Sequence, residues 1–101
     1  MKIKKLKKIL IGDTIFKIKW DPNTSGGSFN YSKKLITIGT KPGNIHALAV
    51  LIHEFKEIIQ VEQTTRLDRH DCDSEYIFVY NHAQHTDLCS RLAGLLSQFI
   101  I

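Results

Sequence analysis

The sequence predicts an α+β fold, a small antiparallel or mixed β-sheet of about three to four strands packed on two main helices. Three observations predict it. Residues 8–39 are short β-branched and aromatic runs separated by turn signals, residues 44–60 switch to apolar spacings of three and four, and residues 82–99 repeat that helical spacing. A chain of 101 residues holds one domain, so residues 1–101 are read as a single unit. Its core is modest, burying roughly two-thirds of the unfolded surface at most.

The elements follow in order. KILIGDTIFKIKW (8–20) breaks at Gly12-Asp13, a strong hairpin signal. Beyond the turn Ile15, with Phe16, Ile18 and Trp20, supplies strand formers, while Lys17 and Lys19 alternate outward. DPNTSGGS (21–28) is a loop by its breakers. SFNYSKKLITIGT (28–40) reads as a further strand or hairpin joined at Ser32-Lys33-Lys34, with Leu35–Ile38 a clear strand of edge-like character ended by Gly39. Asn44 suits an N-cap. Leu48, Leu51, Ile52, Phe55, Ile58 and Ile59 then build one wide apolar face of a helix that fades between Gln60 and Thr65. RLDRHDCDSE (66–75) is polar and loop-like, YIFVY (76–80) is a short β segment, and the last helix buries Leu88, Leu92, Leu95, Leu96 and Phe99.

An apolar fraction of 43% with 24% charged residues is that of an ordinary globular protein and excludes a disordered one. No apolar run approaches the ~20 residues of a membrane span, and the basic N-terminus lacks the long apolar core of a secretory signal. A cytoplasmic location is expected, with no membrane partner. Cys72 and Cys89 are too few for a disulfide framework and form no C-x-x-C pair. The net charge of +4 comes largely from Lys2, Lys4, Lys5, Lys7, Lys8, Lys17 and Lys19. Such a cluster is of the kind that touches nucleic acid or anionic lipid. The plainer reading, preferred here, is an exposed strand face kept soluble by lysine, and a basic nucleic-acid-binding protein is the more remote alternative.

LIHEFKEII (51–59) sets one imidazole and two carboxylates inside an apolar run. On a helix His53 and Glu57, four apart, project together, about half a turn from the Leu48–Ile52–Phe55–Ile59 stripe. That spacing chelates a metal, and Glu54 lies beside it, where a carboxylate can take a proton from an activated water. The pattern H-E-x-x-E is a variant of the H-E-x-x-H zinc-peptidase motif. A carboxylate ligand suits Zn²⁺ and also admits harder Mn²⁺ or Fe²⁺. The third ligand is expected from His82, with His85 as the alternative; both open the last helix, and His85 continues its apolar stripe. His70 with Asp68, Asp71 and Asp73 reads as solvated or supporting, and His46 as exposed in the first turn of the motif helix.

Together with Gly12, GGSFNY (26–31), LITIG (35–39), YIFVYNH (76–82) and DLCSRLAGLL (87–96), this motif resembles the minimal gluzincin-like zincin domains of phage and prophage proteins. Ile52 stands where that pattern has its second leucine. The resemblance implies a zincin-like minimal domain and zinc-dependent metallopeptidase activity, with one zinc on His53, Glu57 and His82 and with Glu54 as general base. The implied substrate is a peptide lying antiparallel along the Leu35–Ile38 edge. A non-catalytic metal-binding or regulatory phage module is the alternative. An oxyanion-stabilising residue stays open among Tyr31, Tyr76, Tyr80 and the unused histidine.

Overall fold

A turn of two residues starts the architecture. Strands β1 (Lys8–Ile11) and β2 (Thr14–Asp21) pair antiparallel across Gly12-Asp13, with Gly12 at φ 60° and Asp13 outside the positive-φ region, the II′ pattern that matches strand twist. The structure, a computed structural model, describes residues 2–68 and 76–100. Strands β3 (Gly27–Asn30) and β4 (Leu35–Gly39) form a second hairpin, and β4 inserts parallel to β2. The order is therefore β1-β2-β4-β3, a mixed four-stranded sheet. Leu35–Ile38 is not an edge: β4 is paired on both sides, and β3 is the edge strand next to it. Strand order is decided by which long-range pairs bury most surface, which local patterning does not encode.

One sheet face is dry. Ile9, Ile11, Phe16, Ile18, Ile36 and Ile38 point into the core, and the period of two sends Lys8, Leu10, Ile15, Lys17 and Lys19 to the other face. Ile15 is thus exposed, because Phe16, Ile18 and Trp20 take the core register. Helix α1 (Asn44–Glu62) covers the dry face with Ala47, Val50, Leu51, Phe55, Ile58 and Ile59. It is rotated from the expected setting. Ile52 is exposed, Leu48 is only half-buried, and Glu54 lies in the buried face. Its cap is Gly43 at φ 116°, not Asn44.

Helix α2 (His82–Ser97) packs beside α1 through Leu88 and Leu95, with Phe99 following it into the core. Asn81 caps α2, its side chain accepting from the Gln84 N–H while Gln84 Oε1 accepts from the Asn81 N–H. Phe99 meets Phe55 at 5.5 Å and Trp20 at 6.2 Å between ring centroids, so it ties sheet and both helices together. Truncating such a buried phenylalanine to alanine costs about 3–5 kcal/mol. No helix among the described residues is long and apolar enough to cross a membrane.

The end of α1 is unusual. Thr64 adopts φ 58°, and the N–H groups of Thr64 and Thr65 donate to the carbonyls of Val61 and Gln60, a Schellman closure with threonine where glycine is usual. The closure turns the chain straight into strand β5 (Arg66–Asp68), which pairs with β6 (Tyr76–Phe78). RLD is therefore strand, not loop. The rest of that stretch, with Cys72 and the expected His70–Asp71–Asp73 cluster, lies outside the described residues, as does the Asp68 side chain.

Candidate metal centre

The middle of α1 holds the chemistry. His53 Nε2 lies 3.1 Å from Glu57 Oε2, one helical turn on, and 3.9 Å from Glu54 Oε1. One donor atom from each of these three residues falls within 4.8 Å of the others. Their environments differ. The His53 side chain is 68% exposed, Glu57 is mostly covered, and Glu54 is 3% exposed as a residue. Burial pushes the Glu54 carboxyl above its ordinary range; His53 and Arg66 pull it back down, and Glu57 pushes it further up.

Glycine positions the sheet over this carboxylate. A Cβ on Gly27 would fall 2.4 Å from Val50 Cγ1 and 3.4 Å from Glu54 Cγ, so only glycine lets β3 approach α1 so closely. Between them opens a cleft lined by Ser25, Gly26, Gly27, His46, Val50, His53 and Glu54, among others. His46 is exposed, as expected, but it also forms part of the cleft wall and donates from Nε2 to the Ser25 carbonyl. Sequence reasoning missed that role, because nothing local shows that the 21–28 loop folds over the first turn of α1.

The larger omission is Arg66. Its Nε lies 3.8 Å from Glu57 Oε1, so the two Glu57 oxygens face an imidazole on one side and a guanidinium on the other. The guanidinium also sits 3.5 Å from the Tyr76 ring centroid and 5.3 Å from that of Phe29. A planar cation between two aromatic faces is held in place. The β-branched pair Thr64-Thr65, ending a helix and starting a strand, is the sequence signal that could have found it.

Neither His82 nor His85 joins the His53–Glu54–Glu57 group among the described residues. The reason lies in how α2 is fastened. Gln63 Nε2 donates to Gln84 O at 3.0 Å and to Asp87 Oδ2 at 2.9 Å, tying the first turns of α2 to the end of α1. Gln63 is ten residues beyond His53, which is about 15 Å along a helix axis. His82 is exposed beside the capping Asn81 rather than aimed inward. His85, expected on the apolar stripe, is exposed, stacked on Tyr80 at 5.8 Å, with Nε2 3.8 Å from Cys89 Sγ.

The donor set fits a metal ion. One imidazole and two carboxylates suit Zn²⁺, Mn²⁺ or Fe²⁺, and no hydrogen bond to a protein donor among the described residues competes for the buried Glu54 carboxylate beyond the His53 contact. No family model, curated protein or solved structure matches this chain.

Proposed function

We propose that this chain is a metal-dependent hydrolase of the minimal gluzincin-like zincin type, cleaving peptide bonds, with zinc as the first candidate metal. The observation that carries the reading is the convergence of His53, Glu54 and Glu57 within 4.8 Å beside a cleft walled by an edge strand. His53 and Glu57 hold the metal in this reading. Zinc, when bound, supplies a Lewis acid that polarises a carbonyl and acidifies water. Glu54 takes the proton of the attacking water and hands it to the leaving amine. Its buried position supports that role, because a carboxyl raised above its ordinary range holds a proton more readily than a solvated one. A peptide would add to the β3 edge, Gly27–Asn30, in place of the Leu35–Ile38 edge that β4 does not offer. With His82 away from the group, His53 and Glu57 are the ligands this reading draws from the described residues.

That geometry favours a second reading, a non-catalytic metal module in which Glu54 itself ligates, since its oxygen lies within the same 4.8 Å as the other two donors. One variant separates the two. Glu54→Gln keeps about one zinc per chain and abolishes hydrolysis of an unstructured protein substrate if Glu54 is the base. It loses the zinc if Glu54 is a ligand. Wild-type protein that takes up no zinc, manganese or iron overturns both.

A further inference from the structure

The charges of this molecule are segregated. Residues 1–53 carry ten lysines against Asp13 and Asp21, a formal +8, whereas residues 54–101 carry four Lys and Arg against eight carboxylates, a formal −4. Three of those ten lysines fall on the sheet face that the helices leave open. Lys8 and Lys17 are direct cross-strand partners there, Lys19 follows two residues along β2, and all three are exposed. Like charges directly opposite destabilise a sheet, so such a pair is costly unless something else answers it. Among the described residues of that face no ion pair does. Its other members are Leu10, Ile15, Leu35, Thr37, Ser28 and Asn30, and Asp21, which closes β2, accepts from the Asn23 N–H. Lys33 and Lys34 at the β3–β4 turn are exposed as well. So are Lys4, Lys5 and Lys7 of the N-terminal arm, which is tied on by the Ile18 N–H donating to Lys7 O and the Lys4 N–H donating to Phe99 O.

The face is not uniformly polar. Leu10 and Ile15 are cross-strand partners one step back from the Ile11–Thr14 pair that flanks the Gly12-Asp13 turn, and are 58% and 57% exposed. An aliphatic pair beside a lysine pair distinguishes between polyanions. A nucleic acid rewards stacking platforms and arginine forks, and the described strand residues of this face include no aromatic ring and no arginine. A bilayer of acidic lipids rewards lysines at the headgroups and aliphatic side chains at the acyl boundary. Surface contact of this kind needs no spanning helix.

We propose that the open face of the sheet, centred on Lys8, Lys17 and Lys19 with Leu10 and Ile15, docks the protein on an anionic lipid surface. The helices and the His53 cleft lie on the other side of the sheet, so the docked protein keeps its cleft toward solvent. The proposal is independent of the hydrolase reading, because it uses none of the residues of that site.

The test is co-sedimentation of the full chain with large vesicles of phosphatidylcholine alone or with about 30 mol% phosphatidylglycerol, at roughly 0.1 and 0.5 M salt, where screening lengths differ about twofold. Binding is expected to the acidic vesicles only and to fall steeply at the higher salt. Each lysine at the surface is worth roughly fivefold, so Lys8→Glu/Lys17→Glu/Lys19→Glu should weaken partition at least a hundredfold. Leu10→Ser/Ile15→Ser should weaken it about tenfold at unchanged charge. All five side chains are exposed, and circular dichroism checks that both variants fold. Equal binding to neutral vesicles, an unchanged triple variant, no binding at all, or preferential capture by duplex DNA in competition would each overturn the proposal.

Discussion

Helices α1 and α2 each carry a histidine facing a partner four residues on, His53 with Glu57 at 3.1 Å and His85 with Cys89 at 3.8 Å. By spacing alone the two pairs are equivalent chelating positions. Their surroundings are not. Beside His53 lie a nearly buried carboxylate, an edge strand brought close by Gly27, and the Arg66 guanidinium against Glu57. Beside His85 lie Tyr80 and open solvent, and no carboxylate converges on it among the described residues. Helical spacing thus proposes a site, and the elements packed across the helix decide whether it becomes one.

The comparison breaks most sharply on metal content. His53→Ala should take stoichiometric zinc to trace, while His85→Ala leaves it unchanged, read by plasma emission spectrometry on protein purified without chelator or affinity metal. The reverse result would mean that the exposed pair on α2 is the metal site and that burial was misleading. His82→Ala belongs in the same series. Zinc lost there would bring the start of α2 back to the centre despite its attachment to Gln63.

Glu54→Gln is next in size and acts on two readouts. If Glu54 is the general base, hydrolysis falls about 10²–10⁴-fold with zinc retained. Stability moves the other way. Burial raises the Glu54 carboxyl in the folded state, so ionising it opposes folding. That cost is absent below the unfolded value near 4.5, grows as pH rises through the raised folded value, and is complete above it. The glutamine variant should therefore melt a few degrees higher than wild type at neutral pH and identically in acid. Equal melting temperatures across the range would show that Glu54 is solvated and not set apart from an ordinary surface glutamate.

Arg66 sharpens the contrast further, because among the described residues no guanidinium is paired with the His85–Cys89 couple; Arg91 of α2 pairs with Glu62 and Asp87 instead. Its cation offsets part of the Glu57 charge and so opposes a second cation at the same carboxylate. Arg66→Gln should tighten zinc binding severalfold in competition with a chromophoric chelator. It should also lower stability by about 1–2 kcal/mol as the contacts with Tyr76 and Phe29 are lost. Weaker zinc binding would instead make Arg66 a support that orients Glu57.

How much of this was legible follows from range. The Gly12-Asp13 turn, the outward Lys17 and Lys19, the buried Leu88, Leu95 and Phe99, and the shared face of His53 and Glu57 are local matters of period and turn chemistry, and they could be read directly. The interior place of β4, the exposure of Ile52 and the separation of His82 from the motif are long-range outcomes. They depend on which strand inserts beside β2 and which helix face finds Phe16 and Phe99, and neither is written in any short window. Arg66 falls between these cases, hidden because a three-residue strand leaves too short a pattern.

The smallest effect tests why Arg66 is where it is. Thr64 holds φ 58°, a left-handed conformation that costs a β-branched residue roughly 1–2 kcal/mol. Its hydroxyl recovers part of this by donating to Gln63 O at 2.6 Å. Thr64→Gly should stabilise the protein by about 1 kcal/mol or slightly less, read as a rise in denaturation midpoint at constant slope. Metal content and hydrolysis should not change, because the Schellman bonds from the backbone N–H groups of residues 64 and 65 survive and still turn the chain back toward Glu57. A stabilised variant with weakened zinc binding would mean that the threonine, and not merely the left-handed turn, sets the reach of Arg66. A destabilised one would mean that the Gln63 hydrogen bond outweighs the strain.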